Sequence, residues 1–161
     1  MAHTGIAVLV LLALAGCASA PVPAPDAAQT ANIPSRLTLD QSNDVTLYAI
    51  SLVGTPYRWG GNTPDSGFDC SGLIGHVYKS QAGVLAPRTV AALTGWGQTV
   101  PAAFLRTGDL VVFMQKGVAN HAGIYVGEGR FVHAPSTGGE VRLDALNSVY
   151  WGKQPVSYRR P

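Results

Sequence analysis

The stretch GFDCSGLIGHVYK, residues 67–79, places a cysteine directly before a helical pattern of apolar residues. The residues predicted for the inner face of this helix are Leu73, Ile74, Val77 and Tyr78. Gly83 is suited to end the helix, because glycine adopts the left-handed conformation of a helix C-terminus. The pattern therefore predicts a helix from Cys70 to about Gln81.

The same reasoning predicts the other elements of the chain. A helix is expected over residues 43–53, with Asn43 or Asp44 as its cap and Gly54 as its stop, and a short helix over 90–93. Alternating apolar residues then predict strands over 109–114, 121–126, 130–134, 140–143 and 156–159. Helices followed by strands indicate an α+β fold with an antiparallel sheet.

Length and composition favour one folded domain with some appended sequence. The chain has 161 residues, of which 47% are hydrophobic and 12% are charged. Its formal net charge is +2, and the basic residues are scattered rather than clustered. A nucleic-acid partner is therefore not expected.

The N-terminal segment carries an uninterrupted apolar run over residues 6–15. Ten residues are too few for a membrane-spanning helix, which needs about 20, and they fit the apolar region of a secretory signal. The following LAGC, residues 14–17, resembles the lipobox of bacterial lipoproteins, in which the cysteine receives a lipid. We therefore expect a signal peptide over 1–16 and lipidation of Cys17; the alternative is an ordinary signal peptide with an incidental cysteine.

Residues 17–36 contain four prolines among small residues, which is typical of a linker. A folded domain is then expected over 37–161. The lipobox resemblance also bears on location. In enterobacterial lipoproteins a residue other than aspartate after the lipidated cysteine favours the outer membrane, and Ala18 stands at that position. We therefore expect an outer-membrane anchor with the domain facing the periplasm.

Cys70 requires a base or a favourable field to act as a nucleophile, because a free thiol is mostly protonated at neutral pH. The positive end of a helix beginning at Asp69 would favour the thiolate. The adjacent Asp69 carboxylate would raise the thiol pKa, unless helix capping or a bound ammonium group takes up its charge. The sequence leaves these two alternatives open.

Two of the four histidines are candidates for that base. His3 lies in the predicted signal peptide, and His76 points away from Cys70 on the same helix, which indicates a structural or surface role. His121 and His133 lie in two predicted strands joined by Gly127–Gly129. A three-residue loop would place both rings on one face, within hydrogen-bonding reach, so a catalytic role for the pair predicts this loop.

A two-residue loop would shift the pairing by one residue and send the two rings to opposite faces. Two incidental histidines in a hairpin are the structural alternative to a catalytic pair. The cysteine and histidine spacings match no zinc motif, and no G-x-G-x-x-G or P-loop sequence occurs. No metal or organic cofactor is therefore expected.

These motifs together resemble those of the NlpC-type cell-wall cysteine peptidases, a papain-like family. The resemblance covers about residues 43–160, through GTPYRWGG, DCSGL, PRT, GDLVVF, NHAGIYVG and FVHAP. It implies N-terminal helices packed on a central antiparallel sheet, with Cys70 as nucleophile, His121 as general base and His133 as the third polar residue that orients the base.

The resemblance also assigns Tyr57, Asp69 and Ser71 to substrate binding. Asp69 and Ser71 are expected to bind the free amino end of a stem peptide. Their structural alternatives are packing for Tyr57, helix capping for Asp69 and a local hydrogen bond for Ser71.

The implied substrate is a peptidoglycan stem peptide, cut at the bond between γ-D-glutamate and meso-diaminopimelate. We expect the protein to be a monomer. Two rivals remain: a lipid acyltransferase or lipase that uses the same residues, and a non-catalytic wall-binding lipoprotein.

Overall fold

The structure is a computed structural model that describes Met1, residues 33–136 and residues 139–161. The predicted signal peptide, the predicted linker and Cys17, the predicted site of lipidation, lie outside the described residues, apart from Met1 and the end of the linker. At the predicted start of the domain, Leu37 is buried and the backbone N–H of Arg36 donates to the carbonyl of Pro161. No helix among the described residues is long and apolar enough to cross a membrane.

The first helix, α1 (Leu39–Ser51), begins four residues earlier than predicted. Thr38 is its N-cap: its hydroxyl accepts from the Gln41 backbone N–H, and the Gln41 side chain accepts from the Thr38 backbone N–H. This reciprocal capping box satisfies two free backbone donors at the helix start. The prediction of Asn43 or Asp44 as the cap was therefore wrong.

The second helix, α2 (Cys70–Ala82), agrees with the prediction. Asp69 is its N-cap, and Gly83 ends it in the left-handed conformation with a φ of 68°. The four residues predicted for its inner face are all fully buried. A short helix, α3 (Val90–Leu93), follows where it was predicted.

The described residues contain eight strands, which form two sheets. They are β1 (Asn62–Thr63), β2 (Gly67–Phe68), β3 (Gln98–Thr99), β4 (Leu110–Gln115), β5 (Val118–Gly127), β6 (Arg130–His133), β7 (Arg142–Ala145) and β8 (Val156–Arg160). The first two pair with each other, and the other six form one sheet in the order β3-β8-β4-β5-β6-β7. Every pair in this sheet is antiparallel, which confirms the predicted α+β class.

The sheet buries both of its faces. Val112 and Ile124 belong to the main core, together with the inner faces of α1 and α2. Val111 and Phe113 point to the opposite face, where they pack with Phe131 and Trp151. Because strand residues alternate between faces, His121, which pairs with Phe113, lies on the Trp151 side.

Strand β7 begins two residues later than predicted. The predicted strand covered 140–143, but Val141 instead exchanges hydrogen bonds with the segment after α1: its N–H donates to Thr55 and its carbonyl accepts from Gly54. Glu140 forms a bridge with Pro56 in the same way. The apolar signal at Val141 therefore reflects burial beside α1 and not pairing with β6.

Candidate active site

The turn of the β5–β6 hairpin contains two residues, so the predicted three-residue loop over 127–129 was wrong. Gly127 pairs with Arg130, which leaves Glu128 and Gly129 as the turn. Both have positive φ, 51° and 68°, as a type I′ turn requires.

A β-bulge at Val126 compensates for the shorter turn. Tyr125 pairs with Phe131 and Ile124 with Val132, so the register changes by one residue between Tyr125 and Gly127. The bulge places an extra residue in β5 and restores the pairing that a three-residue loop would have given. The two histidines consequently face the same side of the sheet.

His121 and His133 form a hydrogen bond of 2.8 Å between Nε2 of His121 and Nδ1 of His133. Their ring planes lie 82° apart. His133 is completely buried, and His121 is 7% exposed. The geometry required for one imidazole to orient the other is therefore present.

Burial keeps both imidazoles neutral. It lowers the pKa of His121 to about 3, assisted by the neighbouring His133. Burial also lowers the pKa of His133 to about 4, although the Asp144 carboxylate opposes this change. A neutral His121 retains a lone pair with which to accept a proton at physiological pH.

Asp144 on β7 continues the row and was not predicted. Its Oδ2 lies 3.0 Å from Nε2 of His133 and 2.9 Å from Nε1 of Trp151. The indole of Trp151 stacks on His121, with 5.0 Å between ring centroids and 23° between planes. The Asp144 carboxylate thus binds the imidazole of His133 and also the indole that covers His121.

Cys70 is a free thiol in the first turn of α2, and its sulfur lies against the backbone of β5. Burial raises the thiol pKa, and the charge of Asp69 raises it further. The backbone N–H groups of Ser71, Ala122 and Cys70 oppose this rise. Because Ala122 directly follows His121, the contact brings the sulfur beside the strand that carries the candidate base.

Asp69 is engaged by the protein on both carboxylate oxygens. Oδ1 accepts from the Gly72 backbone at 2.7 Å and from Nη1 of Arg88 at 2.6 Å. Oδ2 accepts from the Gly60 backbone at 2.9 Å and from Nη2 of Arg88 at 3.0 Å. Burial raises the pKa of Asp69, but the bonds from Arg88 and Gly72 outweigh burial and keep it below its ordinary value. Helix capping and Arg88 therefore offset part of this charge, and the rest raises the pKa of Cys70.

Ser71 and Arg88 complete this polar cluster. The Ser71 hydroxyl accepts from Nη1 of Arg88 at 2.5 Å and lies 2.8 Å from the Arg88 carbonyl, to which it donates. Arg88 belongs to the PRT motif and is a site residue that sequence reasoning did not identify.

Two further residues considered in the sequence analysis are Tyr57 and His76. Tyr57 is partly buried against the main core, and its backbone N–H donates to the carbonyl of Gly139. His76 lies 3.0 Å from the Tyr48 hydroxyl, in agreement with the predicted structural role. Among the residues that the structure describes, no group of three or more His, Cys, Asp or Glu side chains is arranged to hold a metal ion.

Several known proteins are similar in sequence to this chain. The model of the NlpC/P60 family matches residues 54–160. Murein DD-endopeptidase MepH of Escherichia coli (strain K12) is 41% identical over 112 residues, which are 67% of this chain and 41% of that protein. Gamma-DL-glutamyl hydrolase of Bacillus subtilis (strain 168) is 38% identical over 114 residues, 70% of this chain and 27% of that protein.

Structure comparison agrees with the sequence matches. A crystal structure of an NlpC/P60 family protein from Bacillus cereus ATCC 10987 has a TM-score of 0.70 and 30% identity, covering 81% of this chain and 42% of that one. The chain spans less than half the length of these three proteins. The match over 54–160 and the shared papain-like fold confirm the resemblance inferred from the motifs, and the chain belongs to the NlpC/P60 family.

Proposed function

We propose that this chain is a cell-wall hydrolase, a cysteine endopeptidase that cleaves peptide bonds in peptidoglycan stem peptides. The observation that carries the proposal is the hydrogen-bonded pair of neutral histidines beside the strand backbone that Cys70 contacts. The similarity to MepH, a murein DD-endopeptidase by name, supports this substrate class.

In the proposed reaction, His121 removes the thiol proton of Cys70 while the sulfur attacks the peptide carbonyl carbon. The backbone N–H of Cys70, at the start of α2, stabilises the resulting oxyanion. The C–N bond then breaks, and protonated His121 transfers its proton to the departing amine, which leaves a thioester on Cys70. His121 next takes a proton from water, and the hydroxide adds to the thioester carbonyl. The C–S bond then breaks to release the acid, and protonated His121 returns its proton to the sulfur of Cys70.

Both reacting groups are neutral at rest. The pKa of Cys70 is raised, chiefly by burial, and the pKa of His121 is lowered to about 3, also by burial. Burial therefore disfavours a preformed ion pair, and in the proposed mechanism the thiol proton passes to His121 as the sulfur attacks. In this mechanism His121 must keep an available lone pair, which gives the orientation of its ring a direct effect on kcat.

Two bonds are candidates for cleavage. The bond between γ-D-glutamate and meso-diaminopimelate is the one implied by the family resemblance, and a relative named as a gamma-DL-glutamyl hydrolase supports it. A D,D-peptide bond is the second candidate, because MepH, with 41% identity, is named as a DD-endopeptidase. Asp69 already accepts hydrogen bonds from Gly60, Gly72 and Arg88, and its contact with the free amino end of a stem peptide stays a prediction.

The test is digestion of defined muropeptides by the full chain, with Cys70→Ala as the control, followed by mass spectrometry. Un-crosslinked tetrapeptides report on the γ-glutamyl bond, and crosslinked dimers report on the D,D bond. We expect new amines from one of these substrates with the wild-type chain alone. Release of fatty acid from a lipid ester instead would support the acyltransferase or lipase, and sacculus binding without cleavage would support the non-catalytic alternative.

We further propose that a lipid on Cys17 anchors the chain in the outer membrane, with its domain in the periplasm. The apolar run over 6–15 and the LAGC sequence support this proposal. Cys17→Ser should abolish incorporation of labelled palmitate and release the protein from the membrane fraction, whereas Cys70→Ser should leave both unchanged. Equal fractionation of the two variants would contradict the anchor.

A further inference from the structure

Asp144 ends the row of side chains that begins at His121, and its contacts determine where the protons of that row lie. We infer that Asp144 is a positioning residue which fixes the tautomers of both histidines and so keeps Nδ1 of His121 available for the Cys70 proton. This inference rests on the proposed function for its catalytic consequence, while the tautomers themselves are measurable without any substrate.

The surroundings of Oδ2 of Asp144 consist of donors. Arg142 approaches it with Nη2 at 2.7 Å and Nε at 3.1 Å, and Trp151 approaches it with Nε1 at 2.9 Å. None of these nitrogens accepts a hydrogen bond. Burial raises the pKa of Asp144, but the hydrogen bonds from Arg142 and Trp151 and the contact with His133 outweigh burial, so the carboxyl is ionised at neutral pH.

An ionised carboxylate only accepts hydrogen bonds. Nε2 of His133, 3.0 Å from Oδ2 of Asp144, must therefore carry a proton. Because His133 is neutral at physiological pH, its Nδ1 is then unprotonated. Asp144 thus leaves His133 with a lone pair directed at His121.

The same argument continues to the next ring. Nδ1 of His133 accepts from Nε2 of His121 at 2.8 Å, so Nε2 of His121 carries the ring proton. Neutral His121 consequently has its lone pair on Nδ1, the only ring nitrogen that His133 does not bind. Without Asp144 the opposite arrangement becomes possible, in which Nδ1 of His133 donates and Nδ1 of His121 is already protonated.

Trp151 links this tautomer control to packing. Its indole N–H binds Asp144, its ring face stacks on His121, and its edge meets His133 with ring planes 89° apart. The side chain of Asp144 is 18% exposed and that of His133 is fully buried, so water has little access to the bond between them. Asp144 therefore orients the shielding indole as well as the imidazole.

The test combines ring-nitrogen NMR with kinetics on the full chain. In wild-type protein at pH 7, ¹⁵N spectra should show Nε2 protonated and Nδ1 unprotonated in both His121 and His133. A His133 ring protonated at Nδ1 would overturn the inference without any mutation. This measurement does not depend on turnover. An inactive wild-type chain would refute the proposed function, whereas the spectra alone would decide whether the tautomers are assigned correctly.

Variants then test the effect on catalysis. Asp144→Ala should lower kcat about 10- to 100-fold, the range typical of lost supporting contacts, with KM nearly unchanged and mixed tautomers in the spectra. Asp144→Asn should recover much of the activity, because Arg142 and Trp151 orient the amide oxygen towards the donors. Asp44→Ala, on an exposed part of α1, is the matched control. Unchanged kcat or tautomers in folded Asp144→Ala would overturn the inference.

Discussion

The guanidinium of Arg88 binds both carboxylate oxygens of Asp69, with Nη1 2.6 Å from Oδ1 and Nη2 3.0 Å from Oδ2. Asp69 immediately precedes Cys70, and its charge raises the pKa of the thiol. A cation bound to this carboxylate offsets part of that effect. The pair therefore influences the reactivity of a sulfur atom to which neither side chain transfers a proton.

Replacing Arg88 should make Cys70 less reactive. In Arg88→Ala the charge of Asp69 is no longer compensated, so the pKa of Cys70 should rise further. Alkylation by iodoacetamide at pH 8 should slow by about threefold to tenfold, since each pKa unit changes the thiolate fraction tenfold. The pH dependence of the alkylation rate measures this change.

The matched control for this prediction is Arg130→Ala, which removes an exposed arginine paired with Glu128. It should leave the alkylation rate unchanged. Alkylation of Arg88→Ala at the wild-type rate over the whole pH range would show that Asp69 does not depend on Arg88 for its effect on the thiol.

Local sequence patterns predicted the types of the elements better than their ends. The apolar periodicity of α2 marked a buried face, and a cap and a stop residue lay directly beside it. In α1 the first turn buries Ser42 and leaves Leu39 67% exposed, so the apolar pattern begins a turn late. Only the capping residues Thr38 and Gln41 mark that start.

Asp144 was missed because β7 was placed two residues too early. In the observed register Phe131 pairs with Asp144 and His133 with Arg142, which makes Asp144 a diagonal neighbour of His133. A strand over 140–143 excludes this residue. The bulge at Val126 was missed for a related reason: the sequence allows both turn lengths, and only packing of the whole sheet selects the bulged register.

The type of side chain at position 133 should determine how much activity remains. His133 accepts from His121 through Nδ1 and contacts Asp144 through Nε2. An amide offers both an acceptor and a donor, whereas a methyl group offers neither. We expect kcat to decrease in the order wild type, His133→Gln or His133→Asn, then His133→Ala, with KM similar throughout. Equal kcat values for all three variants would contradict the orienting role.

The stability of the domain should fall as the pH decreases from 6.5 to about 4. The ordinary pKa of histidine is about 6.5, and burial lowers it to about 3 in His121 and about 4 in His133. Within that window the unfolded chain binds more protons than the folded chain, so acid favours unfolding. The free energy of unfolding should decrease by up to about 1.4 kcal/mol per pH unit for each histidine.

Urea unfolding between pH 7 and pH 4.5 measures this dependence, and His133→Gln provides the comparison. The variant lacks one of the two titrating groups, so its stability should depend less steeply on pH. Carboxylates such as Asp69 and Asp144 also weaken the fold in acid, since their pKa values lie below the ordinary range, but both proteins retain them. Parallel curves for the two proteins would exclude His133 as a source of the pH dependence.

Gly123 permits the close approach of β5 and β6 that brings the histidines together. A Cβ at this position would lie 2.7 Å from the Val132 carbonyl oxygen and 3.1 Å from Cβ of His133. The first of these atoms belongs to the backbone of a paired strand and has little freedom to move. Gly123→Ala should therefore displace β6, lengthen the bond between His121 and His133, and reduce kcat together with stability.

Gly75→Ala is the control that separates this steric effect from the general effect of replacing glycine. Gly75 lies within α2, and a Cβ added there would meet no heavy atom within 4 Å beyond its own helix backbone and chain neighbours. Alanine at this position should stabilise the protein by about 0.5–1 kcal/mol, because glycine is a poor helix former. Thermal unfolding should therefore shift in opposite directions for the two variants, and muropeptide digestion should slow only in Gly123→Ala. A Gly123→Ala variant with wild-type kcat would show that the histidine pair tolerates a wider separation of the strands.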